Sequence, residues 1–250
     1  MIQFLGIIPA RYHSSRFPGK PLADIAGKPM IRRVYEQASS LLEQVVVATD
    51  DARIETAVKD FGGNVILTSP EHASGTDRCA EALEKFTAEH NRIVDVVINI
   101  QGDEPFIHPG QIQHLMTCFS DPATQIATLA KVIESTEELN DPNITKVVCN
   151  LRQEALYFSR SPLPHIRGKE RPEWIRDHNF LKHIGIYAYQ ADILREITRL
   201  KPSKLELAES LEQNRWLEHG YTIYVKTTEY DSLSIDTPED LEKIVRQQIK

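Results

Sequence analysis

Through its first hundred residues the chain alternates between continuous apolar runs and stretches with helical spacing. Phe4 to Ile8 is a short apolar run that predicts a buried strand ending at Pro9. The β-branched run Val45 to Thr49 predicts a second buried strand. Val65 to Thr68 and Val94 to Ile100 predict two more. Helices are predicted between them. One opens with Pro29 at its first position and runs to about Leu42. One is capped by Asp51 and stopped by Gly62-Gly63. One runs from Ser74 to about His90, with Ser74 and Asp77 in capping-box spacing. This β-α-β-α-β-α-β order predicts an α/β fold with a mostly parallel, doubly wound sheet.

Beyond about residue 125 the pattern is less regular. Ile126 to Val132, Lys146 to Leu151, Ala155 to Phe158 and His183 to Tyr189 read as strands. Ser161 to Phe180, rich in Pro, Arg and His, reads as a long loop, and loops of that length are usually functional or mobile. Leu205 to His219 reads as one helix closed by Gly220. Thr237-Pro238-Glu239-Asp240 opens the final helix with a capping box and Pro at the first helical position. There is no internal repeat, low-complexity tract or linker-like shift in composition.

Composition narrows the function classes. A chain of 250 residues can bury a sizeable core, and 41% hydrophobic with 26% charged residues is an ordinary soluble balance. The net charge of -7 excludes a global basic field for nucleic acid, so any anion site must be built locally. Cys79, Cys118 and Cys149 are far apart and form neither a zinc pattern nor a disulfide framework, which points to a reducing cytoplasm. No stretch is long and apolar enough to span a membrane, and Met1 to Ala10 lacks the features of a signal peptide.

Candidate chemistry concentrates in Ile7 to Leu22, IIPARYHSSRFPGKPL. The first strand opens into a loop carrying Arg11, Arg16 and Lys20, punctuated by Pro18, Gly19 and Pro21. Three cations at the carboxyl end of a strand suit a polyanion, with a solvated basic loop as the plain alternative. Asp103 follows a buried strand to the same sheet edge, and Asp236 follows the short apolar segment Leu233 to Ile235. Two such carboxylates, with phosphate oxygens and water, make a magnesium site; each also has an ordinary reading as a turn or cap neighbour. The helix start at Ser74 offers free N–H groups to an acceptor, and Gln101 can donate and accept. His183 and Tyr187, four apart on an apparent strand, share a face, where a satisfied core histidine is the commoner case. There is no G-x-G-x-x-G, G-x-S-x-G or H-E-x-x-H, and Gly19-Lys20 is followed by Pro21 where a Walker loop needs Ser or Thr.

The segment Ile-Pro-Ala-Arg, then Ser-Arg, then Pro-Gly-Lys-Pro-Leu resembles the signature loop of the 3-deoxy-manno-octulosonate cytidylyltransferase (CMP-Kdo synthetase) family. The resemblance continues in order through Ala48-Thr49-Asp50, Ser74 to Arg78, Gln101 to Pro105, Ala155 to Arg160, Lys182 to Tyr187 and Ile235 to Leu241. It implies a nucleotide-diphospho-sugar transferase (Rossmann-like) fold with a dimerisation and acceptor extension. One domain would span 1–250, with a nucleotide-binding part of about 1–125 and an acceptor and dimerisation part of about 126–235. The implied reaction is magnesium-dependent transfer of CMP from CTP to the anomeric hydroxyl of Kdo, releasing pyrophosphate, for lipopolysaccharide synthesis. Arg11, Lys20 and Asp103 are then catalytic, and Pro9, Ala10, Arg11, Arg16, Lys20, Ser74, Arg78 and Gln101 contact the nucleotide. His183, Tyr187, Glu212, Gln213 and Arg160 contact the sugar acid, although Arg160 could instead pair with a structural Asp or Glu. Asp103 and Asp236 hold Mg2+. The resemblance further implies a homodimer, while charge, cysteine usage and hydropathy point to a cytoplasmic protein without nucleic-acid or membrane partners. A cytidylyltransferase for a related acid such as 8-amino-Kdo, and a non-catalytic sugar-nucleotide-binding regulator, stand as alternatives.

One position departs from the resembled pattern. Leu-Glu-Gln-Leu-Arg is usual there, whereas this chain has Leu211-Glu212-Gln213-Asn214-Arg215. On a single helix Asn214 falls on an apolar stripe with Leu207 and Leu211: the face is open to solvent there, or the amide is satisfied across a dimer or by water, or the change is a tolerated destabilising one, and Asn214→Leu is expected to raise thermal stability without changing the sugar preference.

Overall fold

The computed structural model describes residues 2–13, 16–231 and 234–248, with side chains described through residue 243. Ser15 of the signature loop and Leu233, which opens the apolar segment before Asp236, lie outside the described residues. The chain divides into two units: Met1–Gln113 with Ser232–Lys250, and His114–Asp231.

The first unit carries four parallel strands in the order Val96–Asn99, Phe4–Ala10, Val45–Thr49, Val65–Leu67. Leu5, Ile7, Ile8, Val46, Val47, Val97 and Ile98 are all buried, which is why these strands read as unbroken apolar runs rather than alternating ones. The first helix is Met30–Ser39, with Pro29 at the cap position rather than the first helical one and an end short of Leu42, whereas three later helix starts follow the predicted chemistry. Asp51 accepts from the Arg53 amide at 2.9 Å at the head of Ala52–Asp60. Ser74 and Asp77 exchange reciprocal bonds of 3.1 Å at the head of Gly75–His90. Thr237 and Asp240 do the same, at 3.0 and 3.2 Å, at the head of Pro238–Gln248.

The first strand does not stop at Pro9 but continues to Ala10, with Pro9 opposite Ala48. The Ile7 carbonyl accepts from the Ile100 amide at 2.9 Å, so residue 9, two positions on, turns its missing N–H to that same side. The ladder to Val96–Asn99 has already ended there, at Ile7 opposite Asn99. Proline therefore costs no ladder bond.

The second unit is mixed. Ile126–Val132 runs antiparallel to Leu181–Gln190 and parallel to Ile223–Thr227, and Lys146–Cys149 pairs with Ala155–Ser159. The strand Ile223–Thr227 and the short helices Thr136–Asn140 and Ala191–Ile197 are not anticipated by the pattern. The segment 161–180 is more ordered than a loop. It carries a 3-10 turn, Arg171–Glu173, and a helical turn, Trp174–Asp177, with Trp174 and Phe180 buried against Ile133 and Leu139. The predicted helix Leu205 to His219 is two helices, Lys204–Glu209 and Gln213–Glu218. Ser210 takes a left-handed φ of 53° between them, and Leu207 is 68% exposed. The stripe through Leu207, Leu211 and Asn214 therefore does not exist. Among the described residues no helix is long and apolar enough to cross a membrane.

Candidate active site

The signature loop closes on itself before it presents its cations. The Gly19 amide donates to the Tyr12 carbonyl at 2.8 Å, and Gly19 sits at φ +74°, where a side chain is strained. A 3-10 turn, Lys20–Leu22, follows and aims Lys20 at two carboxylates. Lys20 Nζ lies 2.6 Å from Asp103 Oδ2 and 3.4 Å from Asp236 Oδ1. Arg16 reaches Asp236 Oδ1 at 3.2 Å. The Ile235 amide donates to the Asp103 carbonyl at 2.9 Å, so a backbone bond holds the two carboxylate-bearing segments side by side.

Arg16, Lys20 and Asp103 border a cavity of about 330 Å³, lined also by Pro9, Ala10, Arg11 and Gln101. Gly102 is part of the same wall, and a Cβ there would come within 2.9 Å of the Pro9 carbonyl oxygen. Only glycine allows that approach. His13 also lines the cavity and is absent from the sequence-based residues. The only signal that could have found it is its place inside the cationic loop. Arg16 and Lys20 pair with the two carboxylates, and Arg11 lines the same cavity, so the three cations outnumber the two acids, a balance suited to a polyphosphate.

Ser74 and Arg78 occupy the neighbouring helix start. The Ser74 hydroxyl caps the helix, and a Cβ on Gly75 would lie 3.3 Å from Pro9 Cγ, so the helix start borders the strand end that lines the cavity. Arg78 is fully buried. Its guanidinium bonds Thr68 Oγ1 at 2.5 Å and Asp50 Oδ2 at 3.1 Å, joining this helix to the end of the second strand. It acts here as an internal brace, not as an open cation.

The sugar-side candidates lie in the second unit. His183 Nε2 is 3.0 Å from the Thr128 hydroxyl, which also reaches the Ile184 and Ile186 carbonyls at 3.2 and 2.7 Å. The strand is bulged between Ile184 and Tyr187, yet the His183 and Tyr187 rings stay 5.2 Å apart. Burial pushes His183 down to about 3, and it pushes the Tyr187 phenol up, with the Glu212 charge adding to it. Glu212 heads the helix that carries buried Gln213 and Trp216, and Trp216 meets Tyr187 edge to face at 5.2 Å. His183, Tyr187, Glu212 and Gln213 thus belong to one neighbourhood. Arg160 is differently engaged. Its guanidinium donates to the carbonyls of Glu209, Pro142 and Ser210 at 2.7, 3.0 and 3.4 Å, while its amide bonds the Glu209 carboxylate at 2.9 Å. It braces the left-handed turn that breaks the predicted helix and aims Glu212 and Gln213.

A pH prediction follows from His183. The unfolded side chain takes a proton below its ordinary 6.5, whereas the folded one resists until about 3. Its contribution to stability is therefore complete above 6.5 and is lost as pH falls toward 3. Thermal melts of the parent and His183→Gln proteins between pH 8 and 4 should converge on acidification. An NMR titration showing His183 protonating near neutrality contradicts this.

Comparison with known proteins places the geometry in a family. The cytidylyltransferase family model matches residues 5–223. A 3-deoxy-manno-octulosonate cytidylyltransferase of Parabacteroides distasonis is 61% identical over 247 residues, 97% of each chain. One of Bacteroides thetaiotaomicron is 54% identical over 243 residues, 96% of each. A solved structure of CMP:2-keto-3-deoxy-manno-octonic acid synthetase complexed with CTP superposes with a TM-score of 0.90 at 45% identity, covering 99% of this chain and 98% of that one. A glucose-1-phosphate thymidylyltransferase from Bacillus anthracis, at 17% identity and a TM-score of 0.64, shares the fold. With the family model spanning most of the chain and relatives this similar over their whole length, the chain belongs to the cytidylyltransferase family, among the 3-deoxy-manno-octulosonate cytidylyltransferases.

Proposed function

We propose that this enzyme transfers CMP from CTP to the anomeric hydroxyl of 3-deoxy-D-manno-octulosonate, supplying activated Kdo for lipopolysaccharide synthesis in the cytoplasm. The observation that carries this reading is the convergence of Lys20 and Arg16 on Asp103 and Asp236 beside a cavity bordered by Arg11 and Gln101. The hydroxyl oxygen forms a bond to the α-phosphorus, the bond from that phosphorus to the bridging oxygen breaks, the hydroxyl proton is lost, and pyrophosphate leaves. Both reactants are anions, so the protein's main task is to neutralise charge and hold the reacting atoms in line. Arg11 and Arg16 suit bidentate contacts to phosphate oxygens, and Lys20 acts as a point charge. Pro9, Ala10, Gln101 and the helix start at Ser74 support the nucleoside, with Arg78 bracing that helix. His183, Tyr187, Glu212 and Gln213 are the groups offered to the sugar acid, with Arg160 holding the turn before them.

Asp103 and Asp236 also fit a divalent cation. Their carboxylates already converge on one positive group, Lys20 Nζ, and an all-oxygen donor pair suits Mg2+. When bound, the ion supplies charge neutralisation at the phosphates. A homodimer is part of the proposal and rests on the family resemblance.

Pyrophosphate release measured with CTP, Mg2+ and a panel of sugar acids tests the reading. Turnover confined to Kdo supports it. Preference for 8-amino-Kdo moves it to the close alternative, and nucleotide binding without turnover makes the protein a regulator. Lys20→Ala should weaken CTP binding and slow turnover by about 2–4 kcal/mol in total, the usual order for one preorganised electrostatic contact. CMP affinity should fall far less. Equal losses for CTP and CMP by calorimetry mean that Lys20 does not read the outer phosphates.

A further inference from the structure

We propose that Arg53, which is not among the cavity-lining residues, is a positioning residue for the cationic loop and acts through the ring of Tyr12. The functional part of this inference rests on the CTP reading above. Arg53 lies in the first turn of the helix Ala52–Asp60, and Asp51 fixes its orientation from the cap position. Arg53 Nε donates to Asp51 Oδ1 at 2.9 Å and Nη2 to Oδ2 at 2.6 Å, a two-point grip that sets the guanidinium plane. The guanidinium carbon lies 3.2 Å from the centroid of the Tyr12 ring. That is a close stack of cation on aromatic face.

The same ring is pressed against the loop it belongs to. A Cβ on Gly19 would lie 3.2 Å from Tyr12 Cζ and Oη, so the ring sits almost on the Gly19 backbone. Gly19 also donates its amide to the Tyr12 carbonyl at 2.8 Å. Residues 12 and 19 therefore bracket the loop that carries Arg16, with Arg11 just before the bracket and Lys20 just after it. The order of contact is Asp51 to Arg53, Arg53 to Tyr12, Tyr12 to Gly19, and Gly19 by covalent connection to Lys20. Without the guanidinium, one face of Tyr12 is released, and the bracket keeps only the Gly19–Tyr12 backbone bond and a ring contact no longer pressed from behind. A displacement of about 1 Å in a positioning group can cost on the order of 10²-fold in rate, so a loosened bracket should be felt at the triphosphate. A direct role for Arg53 on phosphate fits less well, because its two-point grip on Asp51 already engages the fork a phosphate would need.

The clamp is tested first without nucleotide, by hydrogen exchange at the Gly19 and Lys20 amides. Arg53→Ala and Tyr12→Leu should each speed exchange there, while Tyr12→Phe, which keeps the ring, should not. In steady-state assays Arg53→Ala should lower kcat/KM for CTP about tenfold and leave the KM for the sugar acid within about twofold. The double variant Tyr12→Leu/Arg53→Ala should be no worse than either single one, since both remove one contact. Arg53→Lys, which keeps the charge but loses the planar fork, should recover part of the loss. Unchanged amide exchange, or losses that add in the double variant, overturns the proposal. Absence of CTP turnover by the unaltered protein counts against the CTP reading alone, because the exchange experiment decides the clamp independently.

Discussion

Asp103→Asn is expected to lower kcat by roughly 10²- to 10³-fold, the order seen when one preorganised electrostatic contact is removed from a transition state. The reason lies in how the carboxylate is held. Asp103 follows the buried strand Val96–Asn99, its carbonyl is tied to the Ile235 amide at 2.9 Å, and its Oδ2 sits 2.6 Å from Lys20 Nζ. An amide keeps the shape but removes the charge that orders Lys20 and suits a divalent cation. CTP affinity should fall less than turnover, because Arg11 and Arg16, the proposed phosphate contacts, are unchanged. Asp236→Asn should behave alike, and the double variant should fall short of the product of the two losses if, as proposed, both groups act on one cation. Turnover near that of the parent at saturating Mg2+ removes Asp103 from the reaction. Fully multiplicative losses mean that the two carboxylates work separately.

Asn214→Leu is expected to destabilise the second unit, the reverse of what a helical stripe implies. Asn214 is fully buried, and its amide grips one residue of the strand Ala155–Ser159. Nδ2 donates to the Phe158 carbonyl at 3.0 Å, and Oδ1 accepts from the Phe158 amide at 3.3 Å. Among the described residues that strand is paired only with Lys146–Cys149, so Phe158 turns its backbone groups to an open edge. The asparagine closes that edge much as another strand would. Leucine fills the volume but strands a donor and an acceptor in the interior, at about 1–3 kcal/mol for each group. Set against some added apolar burial, a fall in Tm of several degrees is the expected result, at roughly 2–4 °C per kcal/mol for a chain of this size. Calorimetric melting checks it. A higher Tm shows that the amide is dispensable, and an altered choice of sugar acid at unchanged Tm places Asn214 in the acceptor site.

Asn214 marks the boundary of what local pattern conveys. The four parallel strands of the first unit and the caps at Asp51, Ser74 and Thr237 were legible because their causes are local: unbroken apolar runs for strands covered on both faces, and side chains bonding amides two or three residues away. The cationic loop was legible for the same reason, since Arg11, Arg16 and Lys20 lie within ten residues of one another at a strand end. Partnership across the chain was not. Nothing near Arg78 or Arg160 in sequence says that one would be braced by Asp50 and Thr68 and the other by the carbonyls of a distant turn. Nothing near Ser210 says that its backbone would turn left-handed and break a segment with helical spacing from Leu205 to His219. By itself the sequence determined the α/β alternation of the first unit, the helix starts at Asp51, Ser74 and Thr237 and the segment carrying Arg11, Arg16 and Lys20, because hydrophobic period and capping act within a few residues. Only the tertiary structure decided that Lys20 would stand between Asp103 and Asp236, that Arg53 would stack on Tyr12, and that Asn214 would close a strand edge. Those are contacts between groups far apart along the chain, and their geometry exists only once the elements have packed.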